Sequence, residues 1–388
     1  MRVRWRRGPG VSLEEDARGD GEELHPALEY TTARTEEIFF CRCFQATDSE
    51  KNLIRGFVAL LVMISGSHEH QRAEPSERRV REYIELRVKE QHAEQVFGQY
   101  EGWMLDEHIR RIVISTDDPR LPRIREIQER LNERDDALFF GWRLTRAYEK
   151  QEMDEAQLFR LITPSVFEPT GEQCGTVYDE SSACKHVFRE FDILRPDGTK
   201  SHYIDSCSVG AKQSTDLFIE TRKLPKHKDI ATTIAGEIVV SYRMTQILRE
   251  SGLSGFELRP VRDKSERQEN LSAARKHRMG EPWSQLFVTS APVSVSPETR
   301  FGKNFFDPDA EGIYRCPYGH VAGLNLLSEV TVLAVDLDRS DVFQTKQHHG
   351  IHRNLLRPSA PILITQRFYH LLRDRKARGY KVEVAHFS

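Results

Sequence analysis

Residues 238–261, IVVSYRMTQILRESGLSGFELRPV, align without a gap on residues 362–385, ILITQRFYHLLRDRKARGYKVEVA. Each stretch opens on three β-type apolar residues, Ile238-Val239-Val240 and Ile362-Leu363-Ile364. A hydroxyl residue follows, Ser241 or Thr365, of the kind that caps a helix N-terminus. Met244, Ile247 and Leu248, like Phe368, Leu371 and Leu372, then recur at i, i+3 and i+4, which is one apolar face of a helix. Gly255 and Gly379 mark the exits, and period-two patterns resume after them. Each copy therefore predicts strand, capped helix, strand. A unit this small cannot bury its apolar face alone, so the two copies are expected to pack on a shared sheet. Arg243 and Arg367 fall in the first turn of each helix. A cation there does not offset the helix dipole, so each should pair with a carboxylate, its own or an acidic partner's.

The second constraint is the stretch 167–213, which holds three of the six cysteines: Cys174, Cys184 and Cys207. Between Cys184 and Cys207 the chain alternates as HVFREFDIL and KSHYID around Pro196-Asp197-Gly198, a strong turn signal. A hairpin returns its ends to one place, so the two cysteines can be neighbours. Gly210 suits a tight turn whose amides face a thiolate. Zinc takes four ligands, usually thiolate or imidazole, in a tetrahedron. Cys174, Cys184 and Cys207 supply three, and Cys316 in YRCPYGHVAG is the candidate fourth, with His320 as the alternative. The residues leave three readings open: a structural zinc site, buried thiols, and a catalytic cysteine.

Six cysteines in 388 residues do not make a disulfide framework, and the clustering favours metal ligands or structural thiols in a cytoplasmic protein. The longest apolar run, 57–64, is too short to span a bilayer, and no signal-peptide core follows the basic start MRVRWRRGPG. A net charge of −3 offers no global attraction to nucleic acid or to an anionic membrane. No GxGxxG, GxxxxGK[ST] or HExxH is present.

Along the chain, residues 1–35 read as a polar, disordered arm. An N-terminal α/β domain is expected over 36–165, with strands at YIELRV, RRIVIST, DALFFGWRLTRAY and LFRLIT and a helix over 122–132. Cys41 and Cys43 within it read as small buried hydrophobes, and His68 and His70 as linker residues. The adjacent Asp106, Glu107 and His108 cannot converge on one point and read as a solvated face. A third unit, 166–265, joins the cysteine knuckle to the first repeat. A fourth, 266–388, holds strands at PWSQLFVTS, APVSVSP and VTVLAVDL, a loop with His348, His349 and His352 read as solvated, and the second repeat. The expected class is α+β: mixed sheets with flanking helices, two duplicated strand–helix–strand units, and a small cysteine knuckle carrying a β-hairpin insert.

The strings FEPTGEQCGTVYDESSAC…CSVGAKQ, KDIATTIAGEIVVSYRM, GLSGFELRPV, YRCPYGHVAGLNLLSEV and LLRPSAPILITQRFYHLL resemble the bacterial double-CXXCG motif proteins, which are related to the immunity proteins of polymorphic toxin systems. The similarity runs roughly from Glu82 to Phe387. Family members carry CGT-x-Y-D and then a cysteine pair spaced CxxCG. Here the pair would be Cys184 and Cys207, split by the hairpin, with Ser208 where the family has glycine. The resemblance implies a protein-binding, toxin-neutralising role and supplies no catalytic residues. Two other functions are compatible with the residues. One is a metal-dependent hydrolase or nucleic-acid-acting enzyme using Cys174, Cys184 and Cys207, with Asp179 or Glu180 as base. The other is a structural subunit of a larger assembly.

Overall fold

A computed structural model describes residues 81–134, 136–194, 199–267, 282–353 and 355–388. The expected arm, Cys41, Cys43, His68, His70 and the Pro196-Asp197-Gly198 turn lie outside the described residues. The fold is α+β, as its sequence patterns predict.

The first unit is a four-stranded antiparallel sheet of β1 (Arg81–Lys89), β2 (Trp103–Met104), β3 (Ile109–Ser115) and β4 (Phe139–Ala147), in the order β2-β3-β1-β4. The short helix α1 (Glu90–Ala93) follows β1, and α2 (Leu121–Asn132) covers the inner face. Ile124, Ile127 and Leu131 of α2 recur at helical spacing and pack on Ile84, Leu86, Ile112 and Trp142. Helix α3 (Lys150–Glu155) leads into β5 (Leu158–Ile162) and β6 (Val166–Phe167), and α4 (Gly171–Cys174) follows. Next come β7 (Tyr178–Asp179), the hairpin β8 (Val187–Leu194) and β9 (Lys200–Ser206), β10 (Lys212–Gln213), β11 (Leu217–Ile219) and β12 (Ile230–Thr233). The first repeat is β13 (Ile238–Val240), α5 (Tyr242–Glu250) and β14 (Phe256–Asp263). After it lie β15 (Ser284–Val288), β16 (Phe301–Gly302), β17 (Asn325–Leu326), β18 (Val330–Val332) and β19 (Val342–Gln344). The second repeat closes the chain as β20 (Ile362–Thr365), α6 (Gln366–Asp374) and β21 (Lys381–Phe387).

The two repeats do not share a sheet. β13 and β14 belong to a six-stranded sheet, β11-β14-β15-β13-β12-β6, while β20 and β21 belong to a five-stranded one, β18-β21-β5-β20-β19. In each, a third strand runs between the two strands of the repeat and antiparallel to both: β15 in the first, β5 in the second. This central strand satisfies the inner edges that a lone strand–helix–strand unit leaves open. The two strands are exchanged along the chain. β5 precedes the first repeat yet sits in the second, and β15 precedes the second yet sits in the first. The flanking strands match as well, with β11 and β18 parallel to the last strand of each repeat and β12 and β19 antiparallel to the first. The strand patterns at APVSVSP and in the second half of VTVLAVDL do not extend the sheets. The first makes only isolated bridges at Val293 and Val295, and Ala334–Asp336 turns into a short 3-10 helix.

A reciprocal seam joins the repeats. The Asp229 and Ile230 N–H groups donate to the Arg378 carbonyl at 2.7 and 3.0 Å, and Asp341 and Val342 donate to the Ser254 carbonyl at 3.0 and 3.2 Å. Arg378 N–H donates to Asp229 Oδ2, and Ser254 N–H to Asp341 Oδ2. The caps take part: Ser241 and Thr365 accept from the third residue of their helices and donate to Asp229 and Asp341. Arg243 and Arg367 pair with the same two carboxylates and reach the Arg375 and Ser251 carbonyls of the opposite repeat. Thus both arginines find an acidic partner within the chain. Beneath the seam, Met244, Leu248, Phe368 and Leu372 from the two helices share one core with Phe159, Ile230, Leu286 and Val342.

Burial works against ionisation of Asp229, but Arg243, the Arg378 N–H and the Ser241 hydroxyl outweigh it and hold its carboxyl below the ordinary range. A depressed carboxylate stabilises the fold above its unfolded pKa of about 4, and that stability is lost as pH falls through the folded value. Asp229→Ala is expected to cost roughly 2–3 kcal/mol at neutral pH, because the Arg378 and Ser241 donors lose a buried acceptor. The difference from the parent protein should shrink in acid. Urea unfolding at neutral pH and below about pH 4 checks both statements.

Candidate metal centre

Cys184 lies just before β8 and Cys207 just after β9, so the hairpin closes the 22 residues between them. Its base is locked by backbone bonds. Cys184 N–H donates to the Val209 carbonyl at 2.8 Å, Ser208 N–H to the Cys184 carbonyl at 3.1 Å, and Cys207 N–H to the His186 carbonyl at 2.9 Å. Cys316 and His320 belong to a tight turn between β16 and β17, closed by Gly319 N–H on the Cys316 carbonyl at 2.8 Å and by Cys316 N–H on the His320 carbonyl at 3.2 Å. The hairpin base and this turn meet. Ligand atoms of Cys184, Cys207, Cys316 and His320 all lie within 4.8 Å of one another.

Four donors around one zinc ion, at about 2.3 Å for sulfur and 2.0–2.1 Å for nitrogen, are separated along tetrahedron edges by about 3.8 Å for S···S and about 3.6 Å for S···N. Cys184 Sγ and Cys316 Sγ are 3.7 Å apart, and Cys207 Sγ and His320 Nδ1 are 3.3 Å apart. A disulfide would need about 2.05 Å, and all four described cysteines are free. Cys207 and Cys316 are buried, Cys184 and His320 half-buried, and Ala322, Phe188 and Val209 pack around the thiols. Burial pushes the Cys207 thiol up to about 12; the Val209 N–H opposes this, and the neighbouring Cys184 and Cys316 add to the rise. A divalent cation reverses that balance, since it binds the thiolates and displaces their protons. These four residues can hold a metal ion, and their spacing and chemistry fit one.

Cys174 is not in the group. It ends α4 between the Thr170 cap and the Gly175 exit and is buried, and that burial raises its thiol pKa while Lys264 opposes the rise. Its place is taken by His320, so the set is three cysteines and one histidine rather than four cysteines. Cys174→Ser should therefore leave the metal stoichiometry unchanged, which elemental analysis of the purified variant checks.

Ser208 takes a left-handed backbone, φ 49°, a region that glycine enters at least cost. Gly210 also has positive φ, and a Cβ there would meet the Ser182 carbonyl at 2.9 Å.

None of the loop histidines read as solvated is fully exposed: His349 is buried, and His348 and His352 are half-buried, the latter behind the hairpin. His352 exchanges backbone hydrogen bonds with Ser206, and its Nδ1 lies 2.7 Å from Ser208 Oγ. Burial and the Arg357 guanidinium lower its pKa. Beside it, the fully buried Asp205 binds Arg189 and Arg353, so the same loop pins the hairpin a second time. Only a weak sequence signal existed for these contacts, the apolar Ile351 preceding His352 in an otherwise polar run.

Asp179 and Glu180 do not enter the group. Asp179 is exposed and caps Ser181, and Glu180 joins Glu172 on the buried Arg357, which lies 4.2 Å from the Tyr178 ring centroid. Asp106, Glu107 and His108 are exposed, as expected.

Among the described residues no helix is long and apolar enough to cross a membrane. No family model matches the chain, and no curated protein matches it.

Proposed function

We propose that this chain is a non-enzymatic, cytoplasmic protein-binding protein of the immunity type, which neutralises a cognate bacterial toxin and is braced by a structural zinc. The observation that carries the non-enzymatic part is the donor set: three thiols and one imidazole within 4.8 Å of one another. Four protein ligands fill a tetrahedral zinc, whereas a catalytic zinc keeps one position for water or substrate. Neither acid considered as a base, Asp179 or Glu180, belongs to the cluster. Zinc fits better than calcium or magnesium, which take oxygen ligands. The toxin-neutralising part rests on the resemblance of the motif strings.

Cobalt substitution followed by azide titration tests the donor set. A tetrahedral spectrum that azide leaves unchanged is expected; a shift would reveal an open position and favour the hydrolase reading. Co-expression with each neighbouring gene product that arrests growth tests the role. Growth should be rescued by the intact chain, and a lack of rescue, with no complex formed, would overturn the immunity reading.

A further inference from the structure

Four large apolar side chains stand exposed within six residues of the first sheet: Tyr100 at 91%, Trp103 at 56%, Met104 at 50% and Leu105 at 45%. They lie on and beside β2, the edge strand of that sheet. An exposed apolar group of this kind, unlike single scattered residues, marks a contact surface. Tyr and Trp are the side chains that most often anchor an interface.

Trp103, Met104 and Leu105 are held in place rather than loosely displayed. Trp103 and Met104 pair with Arg111 and Arg110 of β3. Leu105 N–H bonds the Ile109 carbonyl at 2.8 Å, and Arg111 stacks on the Trp103 ring while its guanidinium pairs with Glu85. Gly102 has φ 89°, and any Cβ there would overlap the Arg111 carbonyl. The preceding loop is tied down by Glu101 on Arg120 at 2.7 Å. Anchors fixed in advance lose less entropy on binding.

The stretch that carries them is acidic, and the β3 arginines behind it, Arg110 and Arg111, are already paired with Glu90 and Glu85. Residues 91–108 contain Glu94, Glu101, Asp106 and Glu107 and no lysine or arginine. Glu94, Asp106 and Glu107 are exposed. β2 is only two residues long, too short to template a further strand, so recognition here runs through side chains.

We infer that the β2 edge is a docking surface for a basic protein partner, which seats apolar groups on Tyr100, Trp103 and Met104 while its lysines and arginines face Glu94 and Glu107. The inference rests on the protein-binding reading above and names the charge of the partner and the surface that meets it. Complementary charge of this kind speeds association and selects among partners.

A random peptide library displayed on phage is selected against the full-length chain. The enriched peptides are then measured on the parent protein and on two variants, Tyr100→Ala/Trp103→Ala and Glu94→Lys/Glu107→Lys. Peptides rich in Lys or Arg with apolar residues are expected, with affinity falling about thirtyfold in the first variant and weakening with salt. The second variant should slow their association. Peptides that lack basic residues, or that bind both variants as tightly as the parent, would overturn this inference and leave the protein-binding reading intact. If no surface enriches any peptide, both fall. Two measurements on the free protein can also overturn it. One is hydroxyl-radical footprinting in which Tyr100 and Trp103 are protected by the chain's own residues. The other is a dimer in sedimentation equilibrium that Trp103→Ala dissociates.

Discussion

Cys207→Ser is expected to abolish metal binding and to destabilise the region around the hairpin more than any other single change. Cys207 is fully buried between the hairpin base and the Cys316–His320 turn, and its sulfur lies 3.3 Å from His320 Nδ1. Serine cannot replace a thiolate toward zinc, and the three remaining donors would be left packed together without the cation that binds them. Where free zinc is about a thousand times Kd, the bound ion adds about 4 kcal/mol to the folded state, and this is the expected loss. Elemental analysis should read one zinc per chain in the parent and essentially none in the variant. Thermal unfolding should show a lower Tm that added zinc no longer raises. Chelator treatment of the parent should reproduce the variant's Tm. Unchanged metal content or unchanged stability would sink the zinc assignment.

Gly379→Ala and Gly255→Ala should each cost roughly 3–5 kcal/mol, the sum of a left-handed backbone penalty and steric overlap. Gly379 has φ 96°, and a Cβ would overlap the Ile230 carbonyl; Gly255 has φ 90°, and its Cβ would overlap the Val342 carbonyl. These are matching places in the reciprocal seam, each glycine lying beside the residue whose carbonyl accepts from Asp229 and Ile230, or from Asp341 and Val342. Neither contact can relax through a side chain, because both obstacles are backbone atoms. Gly252 is the control: its φ of 65° is also left-handed, yet the nearest atom to a Cβ is the flexible Arg367 guanidinium at 3.5 Å. Gly252→Ala should cost only about 1 kcal/mol. Urea midpoints for the three variants check the ranking. Equal costs at all three would mean that backbone conformation alone, and not the close approach of the two repeats, sets the penalty.

The amino-acid sequence determined what is local. Ile124, Ile127 and Leu131 wrote helix α2, and the Ser241 and Thr365 caps with their i, i+3, i+4 apolar faces wrote α5 and α6, because capping and helical period act within one or two turns. The period-two runs around Cys184 and Cys207 wrote the hairpin that makes those cysteines neighbours. Cys316 and His320 were also legible as ligand types, since the donor chemistry of a metal site is carried by residue identity.

Tertiary structure decided the partners. The runs at LFRLI and SQLFV announce buried strands, but a strand's neighbours depend on edges far away in the chain, and so the exchange of β5 and β15 between the repeats has no local signature. The same reason explains why two copies expected on one sheet occupy two. Cys174, ten positions before Cys184, looked like its companion; it ends the capped turn of α4 outside the cluster, and His320 completes the set from 113 residues beyond Cys207. His352 reads as a polar loop residue until the Ser206 backbone pairs with it. Pairing of this kind is settled by which edges and donors remain unsatisfied once the local elements have formed.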